Sequence, residues 1–285
     1  MTESEFKLSS GLKLGPVCLR TKNAAEIERF YHEDFGLKVI RRDGDFTALG
    51  TGSTGQPLLI LHHDEKASTP PPNAAGLYHF ALLVPDRKSL ADAYLSLGNK
   101  GVIFDGYADH QVSEALYLTD PQGNGIEIYN DRPRSEWRFD DDGVEMTTAP
   151  LDLDSLIKES SSGTLGQSTG IAEGSRVGHV HLKVSDLQTS IAFYRDGLGL
   201  ELMRYLGNAA FLSAGCYHHH VGLNTWQSLG GPAGRANWTG LEYVTLRIPE
   251  ADLIELSSRL GVGRGVSGQL SLSDPDDISL IFTAY

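Results

Sequence analysis

The chain is short of cysteine, of cationic residues and of long apolar runs. Only two cysteines, Cys18 and Cys216, stand among its 285 residues. Two thiols cannot make the bridge framework that staples small secreted domains, so a reducing, cytoplasmic setting is expected. Both cysteines fall in segments that read as strand or strand edge. Lys and Arg number 24 against 37 Asp and Glu, a net charge of −13. Phosphate neutralisation needs clustered cations and none is visible, which argues against a nucleic-acid or anionic-membrane partner. No apolar run approaches the roughly 20 residues that span a bilayer. The stretch 1–10 mixes charges of both signs and has no apolar core, so it reads as a tail and not as a signal peptide.

What is present is enough to fold. Apolar residues make up 40% and aromatics 8%, which excludes global disorder. The length suits two domains of ordinary size. An internal duplication organises them. Phe30-Tyr31 with Phe35-Gly36-Leu37 recurs as Phe193-Tyr194 with Leu198-Gly199-Leu200. Gly76-Leu77 recurs as Gly240-Leu241, and Asp120-Pro121 as Asp274-Pro275, so a structural unit has been copied. The expected organisation is a tail over 1–10, a first half over 11–130, a long connector over 131–176 and a second half over 177–285. The connector exceeds usual loop lengths. Within it 151–159 reads as a short helix, and 160–175 is rich in Ser and Gly and reads as mobile.

Each half reads as two βαβββ modules, four in all, an α+β fold of two half-open barrels. In module three, Val180, Leu182 and Val184 alternate with His179, His181 and Lys183 over a strand at 177–184. Asp186 is placed to cap the next helix, whose apolar stripe is Leu187, Ile191 and Phe193-Tyr194. Three strands follow, near 201–206, 209–214 and 217–226. Module two repeats the plan, with a strand at 77–84, a helix over 86–97 and a last strand ending at 126–129.

Alternation decides which side chains share a face. With Phe80 and Leu82 packed, His79 points to the concave side. With Ile126 and Ile128 packed, Glu127 and Tyr129 point inward. With Val221 and Leu223 packed, His218 and His220 do so too. A lone strand histidine such as His32 or His62 is ordinarily a structural residue. An inward carboxylate between two isoleucines is costly unless paired or metal-bound. Imidazoles and a carboxylate at matching positions of two modules are the donor set of a divalent first-row metal.

These residues carry a family resemblance. The modules resemble those of the vicinal oxygen chelate superfamily. The run from Asp109-His110 through Tyr117 and Asp120-Pro121 to Gly125-Ile126-Glu127 resembles the signature of extradiol ring-cleaving dioxygenases. Gly178-His179 and Tyr217-His218-His219-His220-Val221-Gly222-Leu223-Asn224-Thr225-Trp226 do likewise. More narrowly the chain is similar to the catechol 2,3-dioxygenases of bacterial cytosol, over essentially its whole length. The resemblance implies Fe(II), or alternatively Mn(II), held by His79, His179 and Glu127, with O2 as co-substrate and a small aromatic diol as substrate. It implies an acid/base histidine on the last strand of module three, where His220 matches best and His218 is the inward alternative. It also implies hydrogen-bonding roles for Tyr117 and His110.

One departure from the family stands out. Its better-known members keep all three ligands in the C-terminal half. Here module four has Tyr243 and Ile281 at the ligand positions, and module one has Pro16. The competent half-sites therefore lie on modules two and three. Pairing of two with three, and of one with four, would gather the ligands on one ion; pairing within each half would leave two weak half-sites.

Two other functions compete with ring cleavage. A glyoxalase-type isomerase uses the same fold with a ligand set richer in Glu. A non-catalytic binder of flat aromatics lacks inward ligands altogether. The open sheet edges of such modules also suit pairing between subunits, so a homo-oligomer is an expectation.

Overall fold

The strands sort by burial before they sort by order in the chain. The segments Gly76–Leu83 and Arg176–Lys183 are buried on both faces over most of their length, which only a central position in a covered sheet allows. In the computed structural model, which describes residues 6–52, 55–160 and 170–285, they lie side by side. Their sheet has eight strands in the order Glu201–Tyr205, Ala209–Ser213, Val221–Asn224, Arg176–Lys183, Gly76–Leu83, Gly125–Asp131, Ser113–Thr119, Phe104–Asp109. The second sheet has seven: Leu270–Ser273, Ser279–Ala284, Gly240–Ile248, Lys13–Thr21, Leu59–His63, Phe46–Gly50, Lys38–Asp43. Module two is thus hydrogen-bonded to module three, and module one to module four.

The joint has a simple cause. Each module's first strand pairs in parallel with its own last strand, as Gly76–Leu83 does with Gly125–Asp131 and Arg176–Lys183 with Val221–Asn224. That leaves one free edge on each first strand, and a free edge is a template for another. The edges meet antiparallel in both sheets.

The duplicated motifs tie the two sheets together. Tyr31 of module one donates to Asp120 of module two at 2.8 Å, and Tyr194 of module three donates to Asp274 of module four at 3.0 Å. Both tyrosines are fully buried. Each leaves its helix in a widened π turn, Phe30–Asp34 in one copy and Phe193–Gly197 in the other. The helix predicted after Asp186 is therefore α-helical only over Leu187–Ala192, with the Asp186 side chain accepting from the Thr189 amide at 2.7 Å. One contiguous apolar core runs through both sheets and their helices.

Three expectations need adjusting. The strand predicted over 217–226 forms only at Val221–Asn224, and 214–220 is a turn. Cys216 sits in that turn at φ 57°, exposed, while Cys18 lies buried in Lys13–Thr21. The described part of the long connector is structured. It carries a short turn at Arg134–Glu136, a small hairpin of Phe139–Asp140 with Gly143–Val144, and the helix Leu153–Lys158. Its Trp137 and Val144 pack with Val112 and Met203 in a core of their own. Most of the Ser/Gly-rich segment, residues 161–169, and the first five residues of the tail lie outside the described residues. The rest of the tail is anchored, with Leu8 buried and its amide donating to the Gly199 carbonyl.

Candidate metal centre and its cavity

Three strands converge on Ala81. In the register of the eight-stranded sheet Ala81 lies opposite His179 on one side and Glu127 on the other, and His79 precedes it by two on the same face. The methyl of Ala81, fully buried, leaves room for the larger side chains around it to lean together. Glu127 Oε2 is 2.9 Å from His79 Nε2 and 3.0 Å from His179 Nε2. One donor atom from each residue lies within 4.8 Å of the others, the only such group among the described residues. All three side chains are buried.

The donor chemistry fits a divalent ion. His79 Nε2, though close to the carboxylate, makes no hydrogen bond, and His179 Nδ1 is likewise buried without a partner. Unpartnered buried polar atoms are expensive, and here one aims at the point where donors converge. Burial would raise the Glu127 carboxyl, but the imidazoles of His179 and His79 outweigh it and hold the group well below the usual carboxylate range. Burial pushes His179 down to about 4 against the opposing pull of Glu127. Near neutral pH Glu127 is thus a carboxylate and His179 a neutral imidazole, the protonation states that metal binding demands. Separations of 2.9 and 3.0 Å suit neighbouring ligands on an ion with bonds of about 2.1 Å.

The centre opens on a cavity of about 630 Å³ lined by His79 and Glu127 together with Tyr117, His110, Val112, Tyr78, Phe211 and Trp226. Tyr117 stands opposite Glu127 in the register. Burial first, and then the Glu127 charge, push its phenol well above the usual range, so it remains a donor. His110 Nε2 lies 2.6 Å from the Tyr117 hydroxyl and its Nδ1 lies 2.6 Å from the Thr147 carbonyl. A carbonyl only accepts, so Nδ1 carries the proton and Nε2 accepts from the tyrosine.

The histidine run is placed differently from expectation. The ring that lines the cavity is His219, not His220 or His218. His220 turns away, its Nδ1 2.9 Å from Ser213 Oγ and within reach of the Ala214 amide. His218 lies behind, with Nε2 3.0 Å from Asp131 Oδ1 and Nδ1 2.7 Å from His219 Nδ1. Strand alternation does not reach back through 214–220 because those residues turn. The consequence is a relay. Asp131 accepts from His218 Nε2, which leaves His218 Nδ1 bare to accept from His219 Nδ1, and His219 Nε2 is then a bare acceptor. The His219 ring lies 4.0 Å from that of His179, centroid to centroid. Burial, and then the neighbouring imidazoles, hold it well below the ordinary histidine range.

The duplication and the alternation rule locate His79, Glu127, His179, Tyr117 and His110. They do not locate His219, nor the connector's Met146, Thr147 and Thr148, which wall the same cavity. Trp226 lines the cavity and Tyr129 is buried beside it, its hydroxyl 2.8 Å from that of Tyr217. Trp238 lines a different cavity. A Cβ on Gly178 would stand 1.9 Å from the Tyr129 hydroxyl, so glycine there admits the ring. No helix among the described residues is long and apolar enough to cross a membrane.

The family model of the Glyoxalase/Bleomycin resistance protein/Dioxygenase superfamily matches residues 13–128 and 176–239. The chain is 42% identical over 232 residues to "Catechol-2,3-dioxygenase" of Bacillus subtilis (strain 168), covering 80% of each chain. It is 28% identical over 127 residues to "Biphenyl-2,3-diol 1,2-dioxygenase 3" of Rhodococcus globerulus, covering 42% of this chain and 63% of that one. Among solved structures, glyoxalase I from Zea mays superposes with a TM-score of 0.53 at 18% identity, covering 95% of this chain and 92% of that one. At that identity the likeness is one of fold.

Proposed function

The chain belongs to the Glyoxalase/Bleomycin resistance protein/Dioxygenase superfamily, and from that premise we propose that it is an extradiol ring-cleaving dioxygenase acting on a catechol. The observation that carries the reading is the convergence of His79, Glu127 and His179 from both halves of the duplication, with the His219 ring centred 4.0 Å from that of His179. The reaction inserts both atoms of O2 into the substrate and breaks the ring carbon–carbon bond beside the diol, so no external reductant is required.

His79, His179 and Glu127 would hold Fe(II) or Mn(II) in a two-His-one-carboxylate set. When bound, such an ion supplies a Lewis acid and template with open positions for the diol oxygens and O2. The remaining work falls to the chain. His219 Nε2 takes a proton from a diol hydroxyl and later returns it, its ring held in the required tautomer by His218 and Asp131. Tyr117, its proton held by His110 Nε2, turns its hydroxyl oxygen to accept from a substrate hydroxyl, so His110 acts by orienting the tyrosine. Tyr78, Phe211 and Trp226 provide flat faces that hold the ring and exclude water.

Aerobic mixing of Fe(II)-loaded protein with catechol tests the proposal. Oxygen uptake and a yellow ring-fission chromophore are expected. Their absence from protein that retains its metal, together with turnover of a methylglyoxal–thiol adduct, would identify an isomerase instead. The position facing the centre from module three holds His219 and not a glutamate, which favours proton transfer beside a redox metal.

A further inference from the structure

Lys183 is a cation without a counter-charge. It ends the strand Arg176–Lys183 on the face that carries His179 and His181, so ligand, imidazole and ammonium follow one another at intervals of about 6.6 Å, two strand residues each. His181 and Lys183 both line the cavity of the metal centre. Lys183 makes no ion pair among the described residues. Burial alone moves its ammonium, downward from the usual lysine range, with no acidic group opposing. Glu127 belongs to the ligand set. Asp105, the cavity's other carboxylate, accepts from Thr119 and sits on the edge strand Phe104–Asp109, four strands from Lys183.

A second observation points to a ligand at this end. His181 is buried, and its Nε2 has no partner. A Cβ on Gly222 would stand 2.9 Å from that ring, so glycine there makes room for the imidazole. Tyr78 and Trp226 flank it, with ring centroids 5.3 and 5.4 Å away. Lys183 also borders a second cavity of about 700 Å³, whose Arg20 is already paired with Asp64 and Glu242.

We propose that Lys183 is a specificity residue that anchors a carboxylate carried on the substrate's ring, while the diol sits at the His79–His179–Glu127 centre. The inference rests on the ring-cleavage reading for the identity of the ring. The span supports a short substituent. Strand geometry puts Lys183 about 13 Å along from His179, and a lysine side chain reaching back about 6 Å leaves room for a ring and one or two carbons. A carboxylate there meets a partly desolvated ammonium, where a charge-assisted hydrogen bond is strong.

The two catecholic acids, 2,3- and 3,4-dihydroxyphenylacetate, each against its uncharged methyl ester, test this in the metal-loaded enzyme. One acid is expected to exceed its ester at least about tenfold in kcat/KM, the discrimination a desolvated charge pair supports. In K183M that ratio falls to near unity, and K183R restores it. No preference in the unaltered enzyme, or a preference that survives in K183M, overturns the proposal. Anaerobic calorimetry of the same pairs separates the two readings. If the acid binds more tightly, dependent on Lys183, yet no catechol is cleaved, the anion site stands and the dioxygenase reading falls.

Discussion

His79 Nε2 lies 2.9 Å from Glu127 Oε2 and makes no hydrogen bond to it. A histidine that merely neutralised a buried acid would turn its N–H onto the carboxylate. Here His79 stands beside the carboxylate without bonding it, while His179 Nε2 hydrogen-bonds the same oxygen at 3.0 Å, so the three donor atoms gather at one point as they do around a shared ion. E127A is accordingly expected to abolish stoichiometric metal, read by elemental analysis after anaerobic loading and desalting. Metal retained at the level of the unaltered protein would contradict the assignment.

The relay from Asp131 through His218 separates two neighbours in the histidine run. H219N is expected to lower kcat by about a hundredfold or more with metal content intact, the scale of a lost general base. H220N leaves the chemistry in place, because His220 faces Ser213 and Ala214 and not the cavity. If H220N loses turnover and H219N keeps it, the roles are reversed.

The same buried imidazoles make stability depend on pH. Burial, reinforced by the neighbouring His218 ring, pushes His220 down to about 3, and burial pushes His179 to about 4. In the unfolded chain both titrate near 6.5. Between those values the unfolded chain binds protons that the folded one does not, so stability rises with pH across the window. It is fully present above about 6.5 and is lost as pH falls toward the folded values. Chelator-treated protein should show its Tm falling steadily over that range, with a shallower slope in H220N. A flat Tm would show that these rings are not held neutral.

The tyrosine ties predict matching defects. Y31F leaves Asp120 with only its local donors, the amides of Gln122 and Asn124 and the Asn124 side chain. A cost of about 1–3 kcal/mol follows from weakening a buried hydrogen bond to a carboxylate. Y194F removes the equivalent bond to Asp274 and should cost a similar amount in urea denaturation. No shift in either variant would mean that the apolar contacts alone join the sheets.

What the sequence disclosed follows from where its local rules operate. Period-two alternation is a property of strands, so His79, Glu127 and His179 could be assigned to one face, and the ligand-bearing modules pointed to pairing of two with three. The rule fails where the strand ends. Residues 214–220 turn, and the inward residue became His219 in place of its two neighbours. The connector was opaque for another reason. Met146, Thr147 and Thr148 reach the cavity through irregular backbone, which has no period to read. Tyr31 and Asp120 were visible only as markers of duplication, since a hydrogen bond 89 positions apart in the chain leaves no local pattern.

Ring cleavage by insertion of both oxygen atoms is the central claim, and isotope labelling tests it most directly. Fe(II)-loaded protein turned over on catechol under labelled O2 is expected to yield one product that carries both labelled atoms, seen by mass spectrometry. A product with one labelled atom or none, from protein that holds its full complement of metal, would contradict it.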